Sequence, residues 1–269
     1  FIDTKIKAEY INQLLKVGFD TIDFGSFVSP KAIPQMRDTD QVLNALNLDG
    51  SSSKLLAIVA NKRGALQACQ FEQITYLGYP FSVSETFQLR NTNATIQDSI
   101  ARVAAIQDIC TKYNKKMVVY VSMGFGNPYG DAWNVDIVQH YVNLLADMGI
   151  KILSLSDTIG VADRSTIEYL FSNLIPPYPD VEFGAHFHTR PDEWEEKIDA
   201  AFNNGCRRFD AAIGGYGGCP MAKDDLTGNM PTEKMLTYFP KEGLDLGLND
   251  TEFNVAMSMV HQVFPPMVR

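Results

Sequence analysis

Apolar residues recur along this chain in two rhythms. Short runs rich in β-branched and aromatic residues occur at Thr21–Phe24, Leu55–Ala60, Ile74–Tyr79, Met117–Ser122, Ile152–Ser156, Glu182–His186 and Arg207–Ala211. Between them lie longer segments with apolar positions three or four apart: roughly Met36–Leu46, Arg63–Phe71, Ile96–Tyr113, Val135–Met148, Ser165–Leu174 and Glu193–Asn203. The first rhythm marks strands, and the second marks helices with one buried face. Strands alternating with helices need crossover connections, which predicts a parallel sheet covered by helices. Glycines at Gly18, Gly149 and Gly205 stand where helices should end, because a left-handed C-cap is easiest for glycine.

The number of strands narrows the fold. Seven are predicted, and the chain opens on a helix, Lys5–Val17, that no strand precedes. A doubly wound sheet tolerates this, whereas a (β/α)8 barrel would be one strand short. The expectation is an α/β fold of the (β/α)8 TIM-barrel type, with its first strand lying before Phe1. Residues 1–269 read as one catalytic barrel domain, followed from about residue 241 by a helical segment that includes Thr251–Val263 and closes at Pro265-Pro266. No interdomain linker, short-period repeat or low-complexity segment interrupts it.

Composition removes several function classes. At 269 residues, with 45% hydrophobic and 20% charged residues, the chain can bury a large core within a single barrel. A net charge of −9 argues against a nucleic-acid partner, which needs a basic face. It leaves room for an anionic substrate, since a metal or a few local cations can reverse the field of a pocket. Cys69, Cys110, Cys206 and Cys219 form no CxxC pair, which suits reduced thiols in the cytoplasm. No apolar run approaches the roughly 20 residues that span a bilayer, so no membrane association is expected. Phe1-Ile2-Asp3-Thr4-Lys5 lacks the pattern of a signal peptide.

Candidate chemistry clusters where strands end. In Phe183-Gly184-Ala185-His186-Phe187-His188, the two histidines are two apart on a strand and therefore face the same side. Active sites of α/β barrels sit at the C-terminal mouths of the strands. Neutral imidazoles there suit a divalent first-row cation. The competing reading is two packed or solvent-facing histidines, but two of only four falling at one strand end favours the metal. Gly214-Gly215-Tyr216-Gly217-Gly218-Cys219-Pro220 is a glycine-rich loop carrying a thiol; spacing alone leaves Cys219 as either a proton donor or an inert turn residue. Asn229 offers an amide oxygen that can complete a metal's coordination. Ser154-Leu155-Ser156-Asp157-Thr158-Ile159-Gly160 places Asp157 at another mouth, as a pocket acid, as a partner supporting the residues that line the pocket, or as part of an ordinary turn. Asp23 precedes Ser26-Phe27-Val28-Ser29-Pro30-Lys31, and Tyr129 lies in Asn127-Pro128-Tyr129-Gly130, where a phenol can reach a carboxylate or simply pack.

Taken in order, Ser-Phe-Val-Ser-Pro-Lys, Ser-x-Ser-Asp-Thr-Ile-Gly, His-x-His, Gly-Gly-Cys-Pro and Gly-Asn resemble the 3-hydroxy-3-methylglutaryl-CoA lyase family. That family belongs to the metal-dependent lyase and synthase barrels. The resemblance covers essentially the whole chain. It implies that His186, His188 and Asn229 bind a divalent cation, magnesium or manganese. It further implies that Cys219 is the lid cysteine, Asp157 a pocket acid, Asp23 a pocket carboxylate and Tyr129 a pocket tyrosine. The implied substrate is an acyl-CoA, cleaved to acetyl-CoA and acetoacetate, and the implied assembly is a homodimer.

Departures from the family pattern accompany the match. The family's Arg-Asp-Gly-like motif of the first strand does not occur after Phe1. Asp23 stands where glutamate is usual, and Thr189-Arg190-Pro191-Asp192 follows His188 where Asp-Thr is usual. The segment from Cys219 to Asn229 is one residue longer and carries Lys223-Asp224-Asp225. Alternatives are a condensing synthase using acetyl-CoA, against which Cys219 and the Ser26–Lys31 loop speak, and a barrel that binds metal or CoA esters without turnover.

Overall fold

The computed structural model describes residues 1–218 and 227–264. The seven strands among these residues are β1 (Thr21–Ser26), β2 (Lys54–Ile58), β3 (Ile74–Ser82), β4 (Lys116–Ser122), β5 (Ile152–Asp157), β6 (Glu182–Phe187) and β7 (Arg208–Asp210). They form one parallel sheet in chain order, each strand hydrogen-bonded to the next. Among the described residues ten α-helices accompany them: α1 (Thr4–Val17), α2 (Thr39–Asn44), α3 (Lys62–Ala68), α4 (Glu85–Thr92), α5 (Ile96–Lys112), α6 (Val135–Asp147), α7 (Arg164–Leu174), α8 (Trp194–Asn203), α9 (Thr232–Lys241) and α10 (Asp250–Val263). As predicted, α1 comes before the first strand. None of the described helices is long and apolar enough to cross a membrane.

Strand parity divides the side chains into two populations. Along β4, Met117, Val119 and Val121 join the large outer core, whereas Val118 and Tyr120 belong to a separate inner cluster with Leu56, Tyr76 and Ile152. The outer core is closed by Val103 and Ile106 of α5, Val138 and Val142 of α6, Phe171 of α7 and Ile198 of α8. Alternate residues of a strand point to opposite faces, so helices cover the outside and the inner face is left for a pocket. The sheet curls strongly. Tyr120 of β4 meets the His186 ring of β6 edge-on at 5.4 Å, and Asp23 of β1 feels the charge of Asp210 on β7.

One helical expectation changes, and two helices, α4 and α9, have no counterpart in the sequence pattern. Met36–Leu46 is not one helix but a short turn, Pro34–Met36, followed by α2. Thr39 is the cause: its hydroxyl shares its one proton between the carbonyls of Met36 and Ser26 (2.8 and 2.9 Å), and its oxygen accepts from the Ser26 N–H, tying the start of α2 to the end of β1. Helix α4 lacks an apolar stripe and escapes the periodicity argument. It forms because Ser84 caps it, while Asp131 accepts from the Ser84 hydroxyl and the Thr86 N–H. Helix α9 is short and carries Pro240 in its last turn. The C-terminal helix expected from Thr251 is α10; it packs on α1 through the Phe19–Phe253 and Tyr10–Phe264 ring contacts and a Gln13–Glu252 hydrogen bond.

Candidate functional site

His186 and His188 lie on the inner side of the end of β6, their rings 5.7 Å apart. Between them Phe187 points the other way, onto Phe125 and Phe171 of the outer core. Each ring is fixed at one nitrogen. His188 Nδ1 lies 3.0 Å from the Thr227 carbonyl oxygen, which only accepts, so Nδ1 carries the proton. His186 Nδ1 lies 3.2 Å from Asp210 Oδ2. Burial lifts the Asp210 carboxyl, but the hydrogen bond from His186, the Arg208 charge and Ser154 outweigh it and hold the group below its usual value. Asp210 is therefore ionised and accepts the Nδ1 proton of His186. Nε2 is then the lone-pair nitrogen of His188, and in a neutral His186 ring Nε2 is likewise the nitrogen left with its lone pair.

His188 is kept neutral. Burial pushes its imidazole down to about 4, helped by the neighbouring His186. A buried neutral imidazole is what a divalent cation requires. Asn229 is brought alongside: His188 and Asn229 form an isolated antiparallel bridge, and Asn229 Nδ2 donates to the Tyr216 carbonyl at 2.8 Å. That bond orients the amide and leaves Oδ1 as its acceptor end. Gly217 makes the approach possible, since its φ is +89° and a Cβ there would sit 2.8 Å from Asn229 Nδ2.

Asp23 faces the same interior from β1. Its carboxyl is raised to about 7 by burial among protein atoms and by repulsion from Asp210, partly offset by His186. Its side chain is nonetheless exposed on the open inner face. Solvent at the open inner face screens the burial contribution, and the repulsion from Asp210 keeps the carboxyl raised. Tyr120 lies beside these carboxylates, and its phenol is held protonated by burial and by the charges of Asp210 and Asp23. Tyr129 lies on the loop leaving β4, where the Asn127 side chain accepts its N–H and the Arg90 guanidinium covers its ring at 4.7 Å.

Asp157 faces away from the pocket. Parity sends it outward with Leu153 and Leu155, away from the pocket side that carries Ser154 and His186. Its carboxylate is buried and accepts from the Val161 and Ala162 N–H groups and from Lys197 Nζ at 2.7 Å. It is an anchor of the loop after β5 rather than an acid facing the mouth. Cys219 and Lys223–Asp225 lie outside the described residues.

Two site residues escaped sequence reasoning. Asp210 occupies the last strand run, and its signal was an acidic residue inside a strand, at the inward parity of Arg208. Lys197 looked like one polar position on an amphipathic helix. Among the described residues, no three His, Cys, Asp or Glu side chains converge as a metal cluster. What the structure sets side by side is two imidazoles and, across the backbone bridge from His188, Asn229; such a donor set fits part of the coordination shell of a borderline or hard divalent cation.

Comparison with known proteins adds an independent line. The HMGL-like family model matches residues 1–260. A hydroxymethylglutaryl-CoA lyase of Bacillus subtilis is 31% identical over 252 residues, covering 93% of this chain and 82% of the relative. A 3-hydroxy-3-isohexenylglutaryl-CoA/hydroxy-methylglutaryl-CoA lyase of Pseudomonas aeruginosa is 29% identical over 235 residues, covering 87% of this chain and 77% of the relative. The solved structure of an HMG-CoA lyase from Acinetobacter baumannii, in complex with coenzyme A and 3-methylmalate, superposes with a TM-score of 0.90 at 29% identity, covering 98% of this chain and 85% of that one.

Proposed function

This chain belongs to the HMGL-like family, and on that premise we propose that it cleaves 3-hydroxy-3-methylglutaryl-CoA, or a close 3-hydroxyacyl-CoA, to acetyl-CoA and acetoacetate. The observation that carries the reading is the convergence of His186, His188 and Asn229 at the inner end of β6. These three side chains would hold a divalent cation, magnesium or manganese. When bound, the cation supplies charge neutralisation for the substrate's hydroxyl and carboxylate oxygens.

In the cleavage, the 3-hydroxyl loses its proton and its oxygen forms a carbonyl. The bond between C2 and C3 breaks, and its electron pair leaves on C2 as the enolate of acetyl-CoA. That carbon then takes a proton. Asp23 is suited to the first task, because a carboxyl raised to about 7 accepts a proton at neutral pH more readily than an ordinary carboxylate. Cys219, by family resemblance, delivers the proton to the enolate. Tyr129 would bind the substrate's free carboxylate, with Arg90 and Asn127 holding the ring and its backbone in place.

The test is direct assay of the full-length protein on 3-hydroxy-3-methylglutaryl-CoA, with calorimetric titration of manganese into wild type and His188→Ala. Acetoacetate release in wild type is expected, with activity and cation affinity lost together in the variant, since affinity follows ligand number. Unchanged manganese affinity in His188→Ala would remove His188 from the ligand set.

A further inference from the structure

A buried ion pair behind the histidines has no part in the chemistry proposed above. Lys197 belongs to α8, in the outer helical layer, and is 3% exposed. Its ammonium reaches Asp157 Oδ2 at 2.7 Å and the His188 carbonyl oxygen at 3.0 Å. Asp157 in turn accepts from the N–H groups of Val161 and Ala162, and its own carbonyl accepts from the His188 N–H at 3.1 Å. One lysine thereby joins the end of β5, the loop after it and the end of β6.

Two routes run from this clasp to His188. The first is backbone: the residue's N–H is held by Asp157 and its carbonyl by Lys197. The second ends on the ring. The loop folded around the Asp157 carboxylate includes Ile159 and Gly160; the Thr227 hydroxyl donates to the Ile159 carbonyl at 3.4 Å, and a Cβ on Gly160 would lie 2.7 Å from Thr227 Cγ2. Thr227 thus packs directly on this loop, and its carbonyl accepts the Nδ1 proton of His188. Apolar side chains of similar volume often replace buried ion pairs with no loss of stability. What they cannot supply is direction, because an ammonium's donors point at chosen acceptors.

We propose that Lys197 is a positioning residue for His188: from the helical layer, and without touching substrate or cation, it sets both the backbone and the ring orientation of a cation ligand. This inference rests on the reading of His188 as a ligand. Its consequence is that cation affinity depends on a side chain whose removal leaves every proposed ligand in place.

The experiment uses Lys197→Met and the double variant Asp157→Asn/Lys197→Met, which removes both charges and so avoids stranding a carboxylate if the single variant folds poorly. Nitrogen-15 spectra of the histidine rings in metal-free protein, at fixed neutral pH, report the His188 tautomer and the exchange of its Nδ1 proton. Wild type should show a protected Nδ1–H. The folded variants should lose that protection, and calorimetry should show manganese binding at least about tenfold weaker, the size of effect expected when a ligand's supporting contact is removed. A folded variant with the wild-type His188 signature and wild-type manganese affinity, however far its Tm has dropped, overturns the proposal and leaves Lys197 a structural residue. Should wild type itself bind no manganese, the reading of His188 as a ligand fails, and a shift of its ring signature in the variants then shows a structural tie from Lys197 to the ring rather than support of a cation ligand.

Discussion

Asp210 Oδ2 receives two hydrogen bonds at once, from His186 Nδ1 at 3.2 Å and from the Ser154 hydroxyl at 3.1 Å. Strands β5, β6 and β7 each contribute one member, so the orientation of His186 is set by the register of three strands. Carboxylates that accept from a metal-binding histidine fix its tautomer and raise its basicity. Asp210→Asn can turn its amide to present N–H toward His186 and stabilise the other tautomer. Manganese affinity should fall by about 10–100-fold, with a smaller loss for Ser154→Ala. Calorimetry that finds the wild-type value in Asp210→Asn would show that His186 is not oriented this way.

Asp23 and His188 pull the pH dependence of stability in opposite directions. Between the ordinary 3.8 of an aspartate and about 7, the native Asp23 holds a proton that the unfolded chain has released. Its contribution is therefore present at low pH and lost as pH rises through about 7. His188, held down at about 4 against its ordinary 6.5, contributes stability above 6.5 that is lost as pH falls toward 4. In chelator-treated protein, Asp23→Asn should raise the Tm at pH 8 by a few degrees at most, given the exposure of the side chain, and should change it little at pH 5. An equal shift at both pH values would contradict the raised carboxyl. Activity offers a second readout, since kcat/KM of wild type should climb with pH through about 7 if Asp23 is the base.

Cysteine reactivity separates the structural thiols from the remaining one. Cys110 and Cys206 are buried, and burial pushes both thiols up to about 12; Cys69 is buried and shifted the same way. The thiolate is the reactive form. Brief treatment of the native protein with iodoacetamide at pH 7.5 should leave Cys110 and Cys206 unmodified, and peptide mass spectrometry reads this out. Modification of either before global unfolding would place it in an opening segment.

Cys219→Ser tests the proposed proton delivery. Serine preserves size and polarity but lacks a group that titrates near cysteine's roughly 8.5. A large fall in kcat with little change in KM marks an interaction made mainly in the transition state. Near-wild-type kcat on 3-hydroxy-3-methylglutaryl-CoA would end the assignment.

The sequence by itself determined the alternation of seven strands with helices, the parallel order and the shared face of His186 and His188. These follow from periods of two and 3.6 residues, which near neighbours carry. It also held, unread, the parity that turns Asp157 outward, because Asp157 is an odd number of residues from the inward Ser154. Only the tertiary structure decided that Asp23 and Asp210, on strands at the two edges of the sheet, repel one another across the interior. Likewise, only the packing of α8 against β5 and β6 makes Lys197 a partner of Asp157 and His188. Such meetings depend on how far the sheet curls and on where a helix lands, and both are set by burial summed over the whole core, which no single run of residues encodes.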